Sequence, residues 1–310
     1  MTLSTFKAPA GARENPRRTA VLREHAAAVA LGGPALVLLL VLFILPVIAV
    51  FAIALTDWQF GAPAIKFIGF GNFQEMIGDD TVRQSLWNTF AYVALVVPGT
   101  VAAGLTVALL IESGQSFRAF YRAAHFLPFM ATLSAMAIAW EGLLHPTAGL
   151  LNQVLVAIGF APANWLRNSA TVLPVLAFLG IWRNLGFAMV IFLAGMKSIP
   201  RDLYEAADID GADGWFERLT TVTLPLLGPV TMVVVIVTAL RAFETFDVVK
   251  ILTQGGPAKA SEMLLYTIYT ESFEFMRTGY GAAVAVVFLV IVLALTLLQS
   301  RVFDKRVHYS

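Results

Sequence analysis

Arg183 stands in the middle of an otherwise apolar run. It follows Trp182 and precedes Asn184 in LAFLGIWRNLGFAMVIFLAGM, with Phe187 one helical turn on. That set suits a polyhydroxylated ligand: aromatic faces cover the C–H surfaces of a sugar, and planar amide and guanidinium groups hydrogen-bond its hydroxyls. A second apolar run carries Arg241, Phe243, Glu244, Phe246 and Asp247, and Glu141 follows Trp140 in a third. Arg241 and Glu244 have the i, i+3 spacing of a helical ion pair. The same side chains also suit helix-to-helix locking, and spacing does not separate the two roles. Catalysis finds little support. There is no cysteine, so no thiolate nucleophile or thiolate metal site. His25, His125, His145 and His308 show no HExxH spacing, which leaves no metal site to expect. No G-x-x-x-x-G-K-[ST] loop is present, nor any Gly-Lys dipeptide, so this chain does not hydrolyse ATP.

The elements that hold these residues follow from composition. The 310 residues are 58% hydrophobic and 13% charged, with a mean hydropathy of +0.77. A soluble domain carries roughly 25% charged residues, so an ordinary soluble protein is excluded, and so is a disordered chain. The net charge of +1 offers no basic surface for nucleic acid. Six stretches have the length and apolarity of membrane helices, near 29–55, 86–111, 123–144, 171–196, 226–249 and 281–299. The first is about twice the roughly 7–15 residues of a signal-peptide core, so it reads as an uncleaved span. Pro46, Pro98, Pro128, Pro174 and Pro229 fall inside or at the ends of these spans. At 1.5 Å per residue, Arg183 lies about 18 Å along span four, near the bilayer midplane. Asp247 lies about 30 Å along span five, near the outer interface. A charge at depth faces a path or a partner.

Basic residues set the orientation. Lys7, Arg13, Arg17, Arg18 and Arg23 precede span one; Arg118 and Arg122 follow span two. Lys197, Arg201 and Arg218 follow span four; Arg301, Lys305 and Arg306 follow span six. The opposite loops hold only Lys66, Arg83, Arg167, Lys259 and Arg277. Both termini are therefore expected in the cytoplasm: a tail over 1–28, the six-span domain over 29–300 and a second tail over 301–310. The expectation is an all-α polytopic protein embedded in membrane lipid. The first outer loop contains FIGFGNFQEM, a short interfacial segment with Phe67, Phe70 and Phe73.

One inner loop stands out, SIPRDLYEAADIDGADGWFERLTTVTLPLLGP, 198–229. Ser198 is a candidate helix cap and Pro200 fits a first turn. Leu203, Ala206, Ala207 and Asp210 share a face, Gly211 offers a left-handed stop, and Asp213 is placed to begin a second short helix. The adjacent alanines admit a close backbone approach. Glu205 and Asp208 beside them suit Arg or Lys on a partner.

The string EAADIDGA followed by TLP resembles the EAA motif of ABC-transporter permeases. The resemblance implies an ABC type I importer permease fold and a coupling loop at 198–225. Glu205, Ala206, Ala207, Asp208 and Gly211 would dock on the ATPase, with Leu224 and Pro225 closing the motif. From Gly211 to Pro225 the chain is one residue longer than the common pattern. FIGFGNF at 67–73, the Trp140, Gly149 and Asn152 pattern, and the Thr253, Gly255, Gly256, Pro257 loop are similar to binding-protein-dependent sugar permeases. The maltose and glycerol-3-phosphate importers are of this type.

That likeness implies a permease subunit in a bacterial or archaeal cytoplasmic membrane, importing a carbohydrate or sugar phosphate. It implies four partners: a second homologous permease, an ATPase dimer that binds ATP and Mg, an extracytoplasmic solute-binding protein and the carbohydrate. The substrate-path candidates are Trp140, Glu141, Trp182, Arg183, Asn184, Phe187, Phe243, Glu244 and Asp247. An ion-coupled secondary transporter is the alternative, and it would be expected to show inverted repeats; none is visible.

Overall fold

The structure is a computed structural model that describes residues 29–306 apart from 115 and 213. Asp213, the expected start of a short helix, lies outside the described residues, as do the tail residues 1–28 and 307–310. The chain divides after Ala52 into two compact units.

Helix α1, Val29–Ala54, is apolar throughout, and its residues up to Ala52 make up the described part of the first unit. Its side chains are nearly all exposed, as on a helix that faces lipid. One turn, Leu40–Ile44, is π-helical and ends two residues before Pro46. Proline lacks an N–H and crowds the carbonyl four residues back, and a widened turn relieves that conflict.

The second unit contains α2 (Gly71–Gly78), α3 (Asp80–Ser113), α4 (Arg118–Met130), α5 (Leu133–Leu143) and α6 (Leu150–Ala157). It continues with α7 (Val172–Ser198), α8 (Arg201–Ile209), α9 (Trp215–Leu226) and α10 (Gly228–Phe243). It ends with α11 (Asp247–Leu252), α12 (Leu264–Tyr269) and α13 (Thr278–Arg306). Among the described residues there is no strand, only the bridge Thr56–Phe67.

Helix α7 is the hub, and its glycines explain why. A Cβ on Gly180 would sit 2.4 Å from the Tyr92 hydroxyl of α3. One on Gly186 would sit 2.2 Å from the His125 carbonyl of α4. With no side chain at these points, neighbouring helices approach to contact distances that any larger residue blocks. The close approaches of α3 to α7 climb both helices together: Tyr92 at Gly180, Gly99 at Ile181, Gly104 at Ala188. The two therefore run in the same direction, as spans two and four of a serpentine must. Tyr92, Val96, Leu176 and Leu179 build one end of the core, and Ala108, Met189, Phe192 and Val234 the other.

Among the described residues four helices are long and apolar enough to cross a membrane, and six spans result when each of two bent pairs counts as one. The third and fifth expected spans need correction, because neither is one straight helix. The third breaks between α4 and α5 with a bend of 101°. Pro128 removes a hydrogen bond just before Ala131 and Thr132, which turn extended. The fifth bends by 64° between α9 and α10. It stops at Phe243, and Glu244 to Phe246 separate it from α11. Such breaks persist at membrane depth where the backbone is buried in protein or lines a cavity.

Candidate functional site

The two breaks flank the midpoint of α7, and there the expected polar residues meet. Arg183, Asn184 and Gly180 of α7, Tyr92 of α3, Leu133 and Met136 of α5, Arg241 of α10 and 244–248 line one cleft. Its space is ≈ 40 Å³, close to the share of a single water. The Asn184 side-chain amide donates to the Gly180 carbonyl at 2.9 Å. Its Oδ1 and the Arg183 Nε are buried with no hydrogen-bond partner in the protein. Arg241 lies over the rings of Phe129 and Phe187, at 4.6 and 5.3 Å. Those rings stack on each other at 5.5 Å.

Several expectations change here. Among the described residues, Arg241 forms no ion pair with Glu244. The helix ends at Phe243, so Glu244 leaves the regular i, i+3 geometry, and the aromatic pair takes the guanidinium instead. Asp247 is in the cleft beside Arg183, because the break shortens the climb that a straight helix would make. Phe243 is buried edge-on against Phe90 and takes no part in the cleft lining. Glu141 lines a different cleft, with His145 and Arg167. Trp140 packs edge-on against Trp182 at 5.3 Å, so those two form a wall next to the cleft. Tyr92, Phe129 and Thr245 are not legible as site residues in the sequence. Tyr92 and Phe129 read there as ordinary apolar-span aromatics, and only the bends give them a place.

The inner loop folds as a helix pair. Helix α8 ends at Asp210, and Gly211 follows with φ +89°, the left-handed conformation glycine adopts without strain. The Ala212 N–H then closes on the Ala207 carbonyl at 2.9 Å. Two side-chain links tie α8 to α9: Arg218 to Asp208 at 2.7 Å, and Tyr204 to Thr223 at 3.1 Å. Asp208 thus has a partner inside the chain, whereas Glu205 and Ala206 are exposed and Ala207 is half-buried. Leu203, Ile209, Trp215 and Phe216 add exposed apolar surface. Ser198 closes α7 by donating to the Gly195 carbonyl and does not cap α8, whose N-cap is Pro200. A π-helical turn at Leu219–Thr223 precedes Leu224 and Pro225. A π turn takes one residue more per hydrogen-bonded ring than an α turn.

Residues 101–309 match the family described as the binding-protein-dependent transport system inner membrane component. The chain belongs to this family. It is 33% identical to the sulfoquinovosyl glycerol transport system permease protein SmoG of Agrobacterium fabrum, across 92% of both chains. It is 32% identical to the sn-glycerol-3-phosphate transport system permease protein UgpA of the same organism, across 90% of this chain and 94% of that one. A chain of a bacterial ABC transporter for import of the acidic polysaccharide alginate shares the fold. Its TM-score is 0.81 at 22% identity, covering 93% of this chain and 99% of that chain.

The permease's other motifs have structural reasons. Asn72, buried in FIGFGNF, donates to the Ala54 and Thr56 carbonyls at 2.8 Å, capping the chain where α1 ends. Asn152 is buried and holds the outer hairpin, donating to the Pro146 and Ala163 carbonyls and accepting from the Trp165 indole at 3.0 Å. The TQGGP loop is closed by Ser261 donating to Thr253 at 2.7 Å. It is pinned to α3 by Asn88, which donates to the Lys259 and Glu262 carbonyls. Burial within this loop pushes the Glu262 carboxyl up, against a hydrogen bond from Thr267.

Proposed function

We propose that this permease subunit imports a carbohydrate or carbohydrate derivative by an ATP-driven cycle in which the α8–α9 pair carries force from a partner ATPase to the spans. The observation that carries the reading is the exposed Glu205–Ala206 knob on a helix pair locked from behind by Asp208–Arg218 and Tyr204–Thr223. A lever must present a docking surface and resist bending. Two of its relatives are named for the transport of sulfoquinovosyl glycerol and sn-glycerol 3-phosphate, both polyhydroxylated. The charged and polar groups around Arg183 suit such a solute.

The assembly has a second permease, an ATPase dimer that binds ATP and Mg, and an extracytoplasmic binding protein. Catalysis is left to the ATPase, and this chain takes no cofactor of its own. Both termini face the cytoplasm, which sets 1–28 and 301–310 as tails around a 29–300 transmembrane domain. The basic residues of the loops expected inside support that orientation. ATP binding moves α8, the spans rock about the breaks at 131–132 and 244–246 from inward-open to outward-open, and the cleft exchanges the side from which it is reached. Glu205→Lys reverses the charge of the docking knob, where a mismatch costs several kcal/mol. Uptake into vesicles carrying the whole importer falls at least about a hundredfold, while membrane insertion is unchanged. Normal uptake by this variant removes the lever role.

A further inference from the structure

Two cations and two carboxylates line the cleft, and among the described residues none of the four forms an ion pair. Arg183, Arg241 and Asp247 are half-buried and Glu244 is exposed, so the three half-buried groups are the ones that are costly to leave unpaired unless a ligand completes the arrangement. Arg241 lies over the stacked Phe129 and Phe187 rings, at 4.6 and 5.3 Å, which holds its guanidinium at the cleft. Its N–H edge remains for an in-plane acceptor, the geometry that a carboxylate, sulfonate or phosphate meets with two parallel bonds. Arg183 has a buried Nε with no acceptor. Asn184, only 5% exposed, has an Oδ1 with no donor. Unused donors on the arginines and unused acceptors on Asn184, Glu244 and Asp247 describe one kind of solute. It carries an anionic group for the arginines and hydroxyls that donate to the rest.

We infer that this subunit holds an acidic carbohydrate directly, with Arg241 and Arg183 binding its anionic group. The inference rests on the import reading and deepens it. A neutral sugar gives the guanidinium N–H groups only hydroxyl acceptors, whereas an acidic one gives them the directly bonded anionic acceptor that neither Glu244 nor Asp247 supplies in this structure. Glu244 and Asp247 do not cancel this preference: they take the hydroxyl protons and keep the cleft from being permanently filled by a small anion. The cleft volume of ≈ 40 Å³ means that the solute enters only when the broken spans part. The hinges at 131–132 and 244–246 border the cleft itself, so opening and ligand exposure are one motion.

The test uses the purified complex of both permeases with the ATPase, titrated without ATP and followed by tryptophan fluorescence. Trp182, next to Arg183, is the reporter. The probes are a galacturonic acid disaccharide, glycerol 3-phosphate and a neutral galactose disaccharide. The first two separate carboxylate from phosphate as the source of the charge. At least one acidic probe binds at least about tenfold more tightly than the neutral one. Arg241→Gln removes that preference, read as the ratio of the acidic to the neutral probe's affinity falling to about one. Arg241→Lys, which keeps the charge but not the planar fork, retains part of it. Equal binding of all probes to the unmodified complex overturns the inference, as does an undiminished preference in Arg241→Gln when its melting temperature is unchanged. ATP-driven uptake measured in parallel separates the two readings. Uptake with no acid preference leaves import standing and removes the acidic subsite; binding preference without ATP-driven uptake removes the import reading instead.

Discussion

The α8–α9 lever and the α7 cleft are both polar constructions, and they treat charge in opposite ways. In the lever, Asp208 and Arg218 are about 40% exposed and paired at 2.7 Å. In the cleft, Arg183, Arg241, Glu244 and Asp247 share walls but make no pair among the described residues. An exposed pair contributes little energy and serves to fix a shape. Charges kept apart at depth carry a stability cost, which is tolerable where a ligand supplies the missing partner. The lever is built to be rigid in isolation and the cleft to be incomplete in isolation.

The strongest test of that contrast is Glu205→Lys examined at both ends. Uptake collapses, while binding of a solute to the cleft, measured by tryptophan fluorescence without ATP, is unchanged. Loss of both would mean that the knob shapes the cleft and is not a separate docking surface. Next in size is Gly186→Val. Its Cβ would meet the His125 carbonyl and the Phe126 Cα, which are backbone and cannot rotate aside. Overpacking of this kind costs about 1–3 kcal/mol. Thermal unfolding of the detergent-solubilised complex shifts down, and the cleft loses affinity because α4 carries Phe129. An unchanged melting temperature would show that α4 can move away from α7 freely.

Arg218→Ala probes the lever with a smaller effect. It removes a half-exposed pair, so stability falls by no more than about 1 kcal/mol. The ratio of ATP hydrolysed to solute imported rises as α8 loosens on α9. A change in stability well above that size would show the pair to be part of the core. The smallest effect is a pH dependence in the TQGGP loop, whose Glu262 lines neither region. Burial raises the Glu262 carboxyl above its ordinary 4.5. Between that value and the raised one the folded state binds more protons than the unfolded state, so stability is gained as pH falls through the window and lost as it rises. Glu262→Gln flattens this dependence in hydrogen exchange of residues 253–267. An unaltered slope would assign it to other carboxylates of the outer face, such as Glu271, which burial also raises.

The lever is almost wholly legible in the order of its residues. They are contiguous, and local signals suffice: a proline before α8, a glycine at +89° after it, an acidic edge beside two alanines. Local signals miss the Asp208–Arg218 pair, which needs the turn to bring positions ten apart together, and the π turn before Leu224. The cleft is legible only as a set of candidates. Arg183 and Asn184 lie on one continuous helix, as the apolar run around them suggests. Counting misplaces Asp247 and Glu244, because it assumes a straight helix through 244–246. Composition assigns Phe243 and Glu141 to a path, and the packing sends them elsewhere.

Hydropathy and length decide how many times the chain crosses the membrane, since lipid tests each 20-residue segment separately. Glycine and asparagine positions likewise decide locally where helices stop and where backbones may touch. Which charges share a cleft is a different kind of property. It depends on a 101° break in one span, a stop in another and the close approach of both to α7, and each of these is set by packing between segments distant in the chain. Arg241 shows the difference most directly. Its neighbour in sequence is Glu244, but a helix end and two stacked phenylalanines give it to Phe129 and Phe187, and so leave its hydrogen-bonding edge free.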